Sequence, residues 1–131
     1  ICLGMQLLAS SSEEDGFSQG LRLINNEVKK FNSGEVLGLK IPHIGFNSVN
    51  SHPKEKLYKG IIDKSDFYFV HSYRISLDNE KIDDSIIYSS FNYGGDFVAS
   101  FQKNKIYGTQ FHPEKSQSTG LLLLKNFVEL G

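Results

Sequence analysis

The chain has 131 residues, 14 Lys and Arg against 15 Asp and Glu, a net charge of -1, and 39% apolar residues. That composition suits a single hydrophobic core and offers no single-sign field for nucleic acid or an anionic membrane. The longest apolar run, Leu121 to Leu124, is far too short to span a bilayer.

The pattern from Leu3 to Ser10 favours a helix, ended by the polar stretch Ser11 to Gly16. Leu21 to Ile24 reads as a short extended piece, and Glu27 to Phe31 alternates as a half-buried strand does. Val36 to Ile44 is a further extended stretch broken by Gly38 and Pro42, and Pro53 is placed to open a short helix before Tyr58. Asp66 to His71 is aromatic and β-branched, hence a buried strand. Three more strands are predicted at Ile86–Phe91, Phe97–Gln102 and Ile106–Phe111, with Tyr93 to Asp96 and Lys103 to Lys105 as the turns. From Ser116 onward, Leu121, Leu124, Phe127 and Val128 predict an amphipathic closing helix with those residues inward.

Residues 1–131 thus read as one α/β domain. The start at Ile1, with no initiator Met and no opening β-α-β units, makes the chain an expected C-terminal portion of a longer domain. The single cysteine, Cys2, excludes an internal disulfide and fits a reducing, cytoplasmic setting. Cys2 is either a small buried hydrophobe or a reactive thiol. If reactive, it would sit on a sharp strand-to-helix turn, where Gly4 supplies a small neighbour and the helix start lowers the thiol pKa.

A second motif, Gly108-Thr109-Gln110-Phe111-His112-Pro113-Glu114-Lys115, decides between them. In an extended segment His112 and Glu114 share a face while Pro113 turns away, so a carboxylate can orient an imidazole. Thiol, imidazole and carboxylate are the parts of an acyl-transfer site. His43, His52 and His71 are not spaced as metal ligands, and one cysteine makes no thiolate zinc site, so no metal is expected.

The stretch Ile1 to Gln6 resembles the second part of the nucleophile motif of class I glutamine amidotransferases, and Phe111 to Glu114 resembles that family's His and Glu. Within the family, Pro42 to Asn47, Tyr68 to Tyr73 and Gly108 to Ser116 resemble the glutaminase subunits of imidazole glycerol phosphate synthase. The resemblance covers nearly the whole chain. It implies a flavodoxin-like, three-layer α/β fold around a mostly parallel sheet. It also implies hydrolysis of L-glutamine to glutamate through a cysteine thioester, without a cofactor, feeding ammonia to a synthase in histidine biosynthesis.

By the same comparison Cys2 would be the nucleophile, His112 the base and Glu114 its orienter. Gln6, Ser72 and Tyr73 would bind glutamine. His43, Phe46, Asn47 and Lys115 would lie near the interface with a (β/α)8-barrel cyclase, forming a heterodimer. Phe46 stands where the histidine-pathway subunit generally carries Trp, which keeps open a paralogue supplying ammonia for sugar modification in surface-glycan assembly. The remaining readings are a catalytically silent regulatory copy of the fold, and a different cysteine hydrolase on the same scaffold.

Overall fold

The structure, a computed structural model, describes residues 1–77 and 83–130. Helix α1 (Leu3–Leu7) is followed by two-residue strands β1 (Ser11–Ser12) and β2 (Ser18–Gln19), then β3 (Glu27–Lys30) and β4 (His43–Ser48). A 3-10 turn at Lys56–Tyr58 leads to β5 (Asp66–His71) and β6 (Tyr73–Ile75). Strands β7 (Ile86–Asn92), β8 (Asp96–Lys103) and β9 (Ile106–Thr109) follow, then a 3-10 turn at Pro113–Lys115 and helix α2 (Gln117–Leu130).

The α/β class is as expected, but the described ladders are mainly antiparallel rather than mostly parallel. β1 pairs in parallel with β3, while β1–β2, β3–β6, β4–β5, β7–β8 and β8–β9 are antiparallel. The reason is local: turns as short as those at Tyr93–Gly95 and Asn104–Lys105 cannot carry a parallel crossover, which needs a dozen or more residues. The stretch from Val36 is less extended than expected. Leu37 and Gly38 have positive φ values of 52° and 78°, the Ile41–Pro42 bond is cis, and the strand begins only at His43.

Two apolar clusters form the core. One gathers Phe67, Phe69, Phe91, Phe97 and Phe111 with Leu57 and Leu123; the other gathers Met5, Ile24, Val28, Ile75, Val98 and Phe101. β8 serves both, because it is buried along most of its length. A bulge sets which residues face which cluster. Ser89 pairs with Ser100 and Ser90 with Val98, so Ala99 is left over and the alternation of β8 reverses past it. Phe97 therefore faces the first cluster and Phe101 the second.

Helix α2 corrects the sequence reading. Its buried residues are Gly120, Leu123 and Asn126, whereas Leu121, Phe127 and Val128 are exposed. The inward face is chosen by Asn126, whose Nδ2 donates to Leu57 O and Lys59 O at 2.8 Å, and by Gly120. A Cβ at Gly120 would overlap Pro113 O and lie 2.7 Å from the Ser116 Cβ. Gly120→Ala should cost about 1–3 kcal/mol of stability despite the better helix propensity of Ala, since the clash is with backbone. A melting temperature equal to or above wild type would refute this account of the packing.

Candidate active site

Cys2 sits at the N-cap of α1 with φ 48° and ψ -110°, an uncommon conformation for a side-chain-bearing residue. Its backbone N–H donates to Thr109 O at 2.7 Å, and Gln110 Nε2 donates to Cys2 Sγ at 3.5 Å. The segment leading into His112 is thereby stitched to the thiol across 108 sequence positions. Gly108 permits the close approach, because a Cβ there would lie 2.7 Å from Met5 Cγ and overlap the Phe101 ring. A Cβ at Gly4, the expected small neighbour of the thiol, would meet nothing within 4 Å. The tight glycine of this turn is the one on β9.

Gln110 is fully buried, and the sequence alone assigns it no role, although it stands inside the second motif. Its N–H donates to Ala99 O, the carbonyl of the bulge residue, at 2.7 Å. Its Oε1 accepts a hydrogen bond from Gln6 Nε2 at 2.9 Å. Gln6 Nε2 also donates to Tyr73 O at 3.0 Å. Cys2, Gln6, His71, Ser72 and Tyr73 share the wall of one cleft of about 380 Å³. A larger cavity of about 730 Å³ around Ser51, Glu55 and Lys59 contains none of these groups.

His112 is extended (φ -100°, ψ 98°) and its N–H donates to Tyr68 O at 2.9 Å. Its Nδ1 lies 2.6 Å from Glu114 Oε1. The two side chains meet on a 3-10 turn, Pro113–Lys115, rather than on the extended segment expected from the sequence. Ser116 Oγ secures that turn, donating to His112 O at 2.6 Å and accepting from Tyr68 N at 2.9 Å. A carboxylate on Nδ1 holds the proton there and leaves Nε2 as the basic nitrogen.

Glu114 is held below the ordinary carboxylate range. Its partial burial pushes upward, but the bond to His112 and its own backbone N–H outweigh that. Burial pushes the Cys2 thiol above its ordinary value of 9.0, against smaller downward effects from the Leu3 N–H and Gln110. The thiol is thus not pre-ionised, contrary to the expectation from a helix start. A five-residue helix supplies too little dipole to offset desolvation, so deprotonation has to be done by a base.

The four residues expected near a partner divide between two faces. On β4, His43 and Asn47 point inward and Phe46 outward, as the period of two requires. His43 is only 3% exposed, while Phe46 is 49% exposed against the Tyr68 ring. Lys115 is exposed on the turn beyond His112. Among the described residues no helix is long and apolar enough to cross a membrane.

The family description "Glutamine amidotransferase class-I" matches residues 1–130. A Campylobacter jejuni protein named imidazole glycerol phosphate synthase subunit HisH 1 is 50% identical over 130 residues, 99% of this chain and 61% of that protein. The HisH subunit of Leptospira borgpetersenii is 48% identical (99% and 62%), and that of Yersinia pseudotuberculosis 42% identical (99% and 62%). This chain therefore spans about three fifths of the length of those relatives. In fold it resembles the crystal structure of a Thermoplasma acidophilum protein described as part of a GMP synthase. That likeness has a TM-score of 0.59 and 22% identity, over 81% of this chain and 48% of the other.

Proposed function

Because this chain belongs to the class-I glutamine amidotransferase family, we propose that it supplies the glutaminase chemistry of a synthase, hydrolysing L-glutamine to glutamate and ammonia. The observation that carries the reading is the stitch between Cys2 and the strand entering His112: the Thr109 O and Gln110 Nε2 bonds to one residue. His112 Nε2 takes the Cys2 proton as sulfur attacks the side-chain amide carbon of glutamine. The resulting imidazolium, held by Glu114, returns that proton to the departing nitrogen, and ammonia leaves a γ-glutamyl thioester. Water, deprotonated by His112, then attacks the thioester, and the thiol and glutamate are released. Gln6, Ser72 and Tyr73 line the cleft beside the thiol and would hold the amino-acid end of the substrate.

The relatives named HisH support imidazole glycerol phosphate formation as the destination of the ammonia. The partner would be a cyclase of (β/α)8-barrel type, docked across Phe46 and Lys115, in a cytoplasmic heterodimer that needs no cofactor. Phe46, where the histidine-pathway subunit generally carries Trp, favours one second reading, a sugar-modifying synthase as ammonia acceptor. The full-length protein should release glutamate from glutamine and restore growth of a histidine auxotroph lacking its glutaminase subunit. Glutamate release without rescue would replace the cyclase by the sugar-directed partner. Absence of glutamate release with either partner would end the glutaminase reading.

A further inference from the structure

Behind the cleft wall lies a row of polar groups that the reaction scheme does not use. His71 Nδ1 is 2.8 Å from Tyr73 O, and a carbonyl only accepts, so Nδ1 carries the proton. In the neutral ring His71 Nε2 is then an acceptor, 3.0 Å from His43 Nδ1, which must donate. His43 Nε2 is left as an acceptor for Asn47 Nδ2 at 3.3 Å. Asn47 Nδ2 is also tied to Asn92 O at 3.0 Å.

With Asn47 donating, one assignment satisfies every contact: Asn47 donates to His43, His43 to His71, and His71 to Tyr73 O. A proton on His71 Nε2 would turn His43 round and set its Nε2–H against the Asn47 donor. Both rings are buried: burial and repulsion from His71 pull His43 down to about 3, while burial and repulsion from His112 pull His71 down to about 4 against the upward effect of its bond to Tyr73 O. His43 is stacked on Phe69 and Phe91, with ring centroids 4.8 Å and 5.3 Å away, and Tyr93 lies at 4.0 Å.

The Tyr73 carbonyl at the end of this row is the one that Gln6 also uses, and Gln6 continues to Gln110 and the thiol. We propose that His43 and His71 are positioning residues of the glutamine site, an ordered pair of imidazoles that fixes the Tyr73 carbonyl, and through it Gln6 and Gln110, against Cys2. This rests on the glutaminase reading and adds two residues to it. It also gives the inner face of β4 a route to the thiol, since Asn47 begins the row one residue from the outward-facing Phe46.

Two His43 variants separate positioning from packing. His43→Asn keeps an N–H donor where Nδ1 stood but loses the ring; His43→Phe keeps the ring between Phe69 and Phe91 but loses the donor. In the full-length protein with its partner, His43→Phe should lower kcat/KM for glutamine about 10- to 100-fold, and His43→Asn should retain most of it. The reverse order, or no loss in His43→Phe, would reduce the pair to core packing. Nitrogen-15 NMR of the wild type at neutral pH should show both rings as Nδ1–H tautomers. An Nε2–H tautomer on either ring would overturn the proposal. Wild-type protein that hydrolyses no glutamine would refute the glutaminase reading instead, and the tautomer result, which needs no activity, keeps the two failures apart.

Discussion

Cys2→Ser in the full-length protein should lower glutamine hydrolysis by about 10,000-fold or more, the scale on which loss of a nucleophile is felt. The surroundings that already push a thiol upward by burial would hold an alcohol more firmly protonated. The Thr109 O bond uses the backbone N–H, so the fold of the turn survives and glutamine binding should persist. Activity within tenfold of wild type would remove Cys2 from the mechanism. The same desolvation predicts that alkylation of Cys2 by iodoacetamide has a midpoint above the ordinary thiol value of 9.0. A midpoint well below that would mean the thiolate is stabilised by something other than the groups described here.

His112→Asn should lower kcat about 100- to 10,000-fold, the range typical of a positioned acid–base group. Asn offers an N–H near where Nδ1 met Glu114 but has no basic nitrogen in the place of Nε2. Glu114→Gln should fall between this variant and wild type, because an amide can still touch the ring but no longer stabilises the imidazolium. Pre-steady-state mixing with glutamine would show both variants slowed in thioester formation. Equal rates for His112→Asn and wild type would assign the base elsewhere.

Strands with a plain apolar signature were legible in the sequence. Asp66–His71 forms over the residues expected, since its aromatic and β-branched run has polar ends and a buried partner face. β7 and β8 each extend the expected range by a residue or two. What hydropathy could not give is where a polar residue finds its partner. Asn126 turns α2 about its axis by bonding two carbonyls of the Leu57–Lys59 segment, against the pull of Leu121 and Phe127. Gln110 reads as an ordinary polar strand residue until Ala99, Gln6 and Cys2 are known to surround it. The burial of His43 is equally hidden, because its donor and acceptor partners, Asn47 and His71, lie on two strands whose register the sequence does not state.

The octet from Gly108 was legible as a motif, yet its geometry was not. The 3-10 turn that swings Glu114 under His112 depends on Ser116 and on the space left by Gly120, two residues that in sequence look only like part of a helix start.

The pairing of Cys2 with Thr109 and Gln110 has a consequence for biosynthesis. A ribosome makes the sulfur more than a hundred codons before the residues that press against it, so a growing chain holds an unassembled thiol while that whole span is made. Loop closure over that span is slow compared with forming a local hairpin, so the Cys2–Gln110 contact is acquired after the hairpins of β7, β8 and β9.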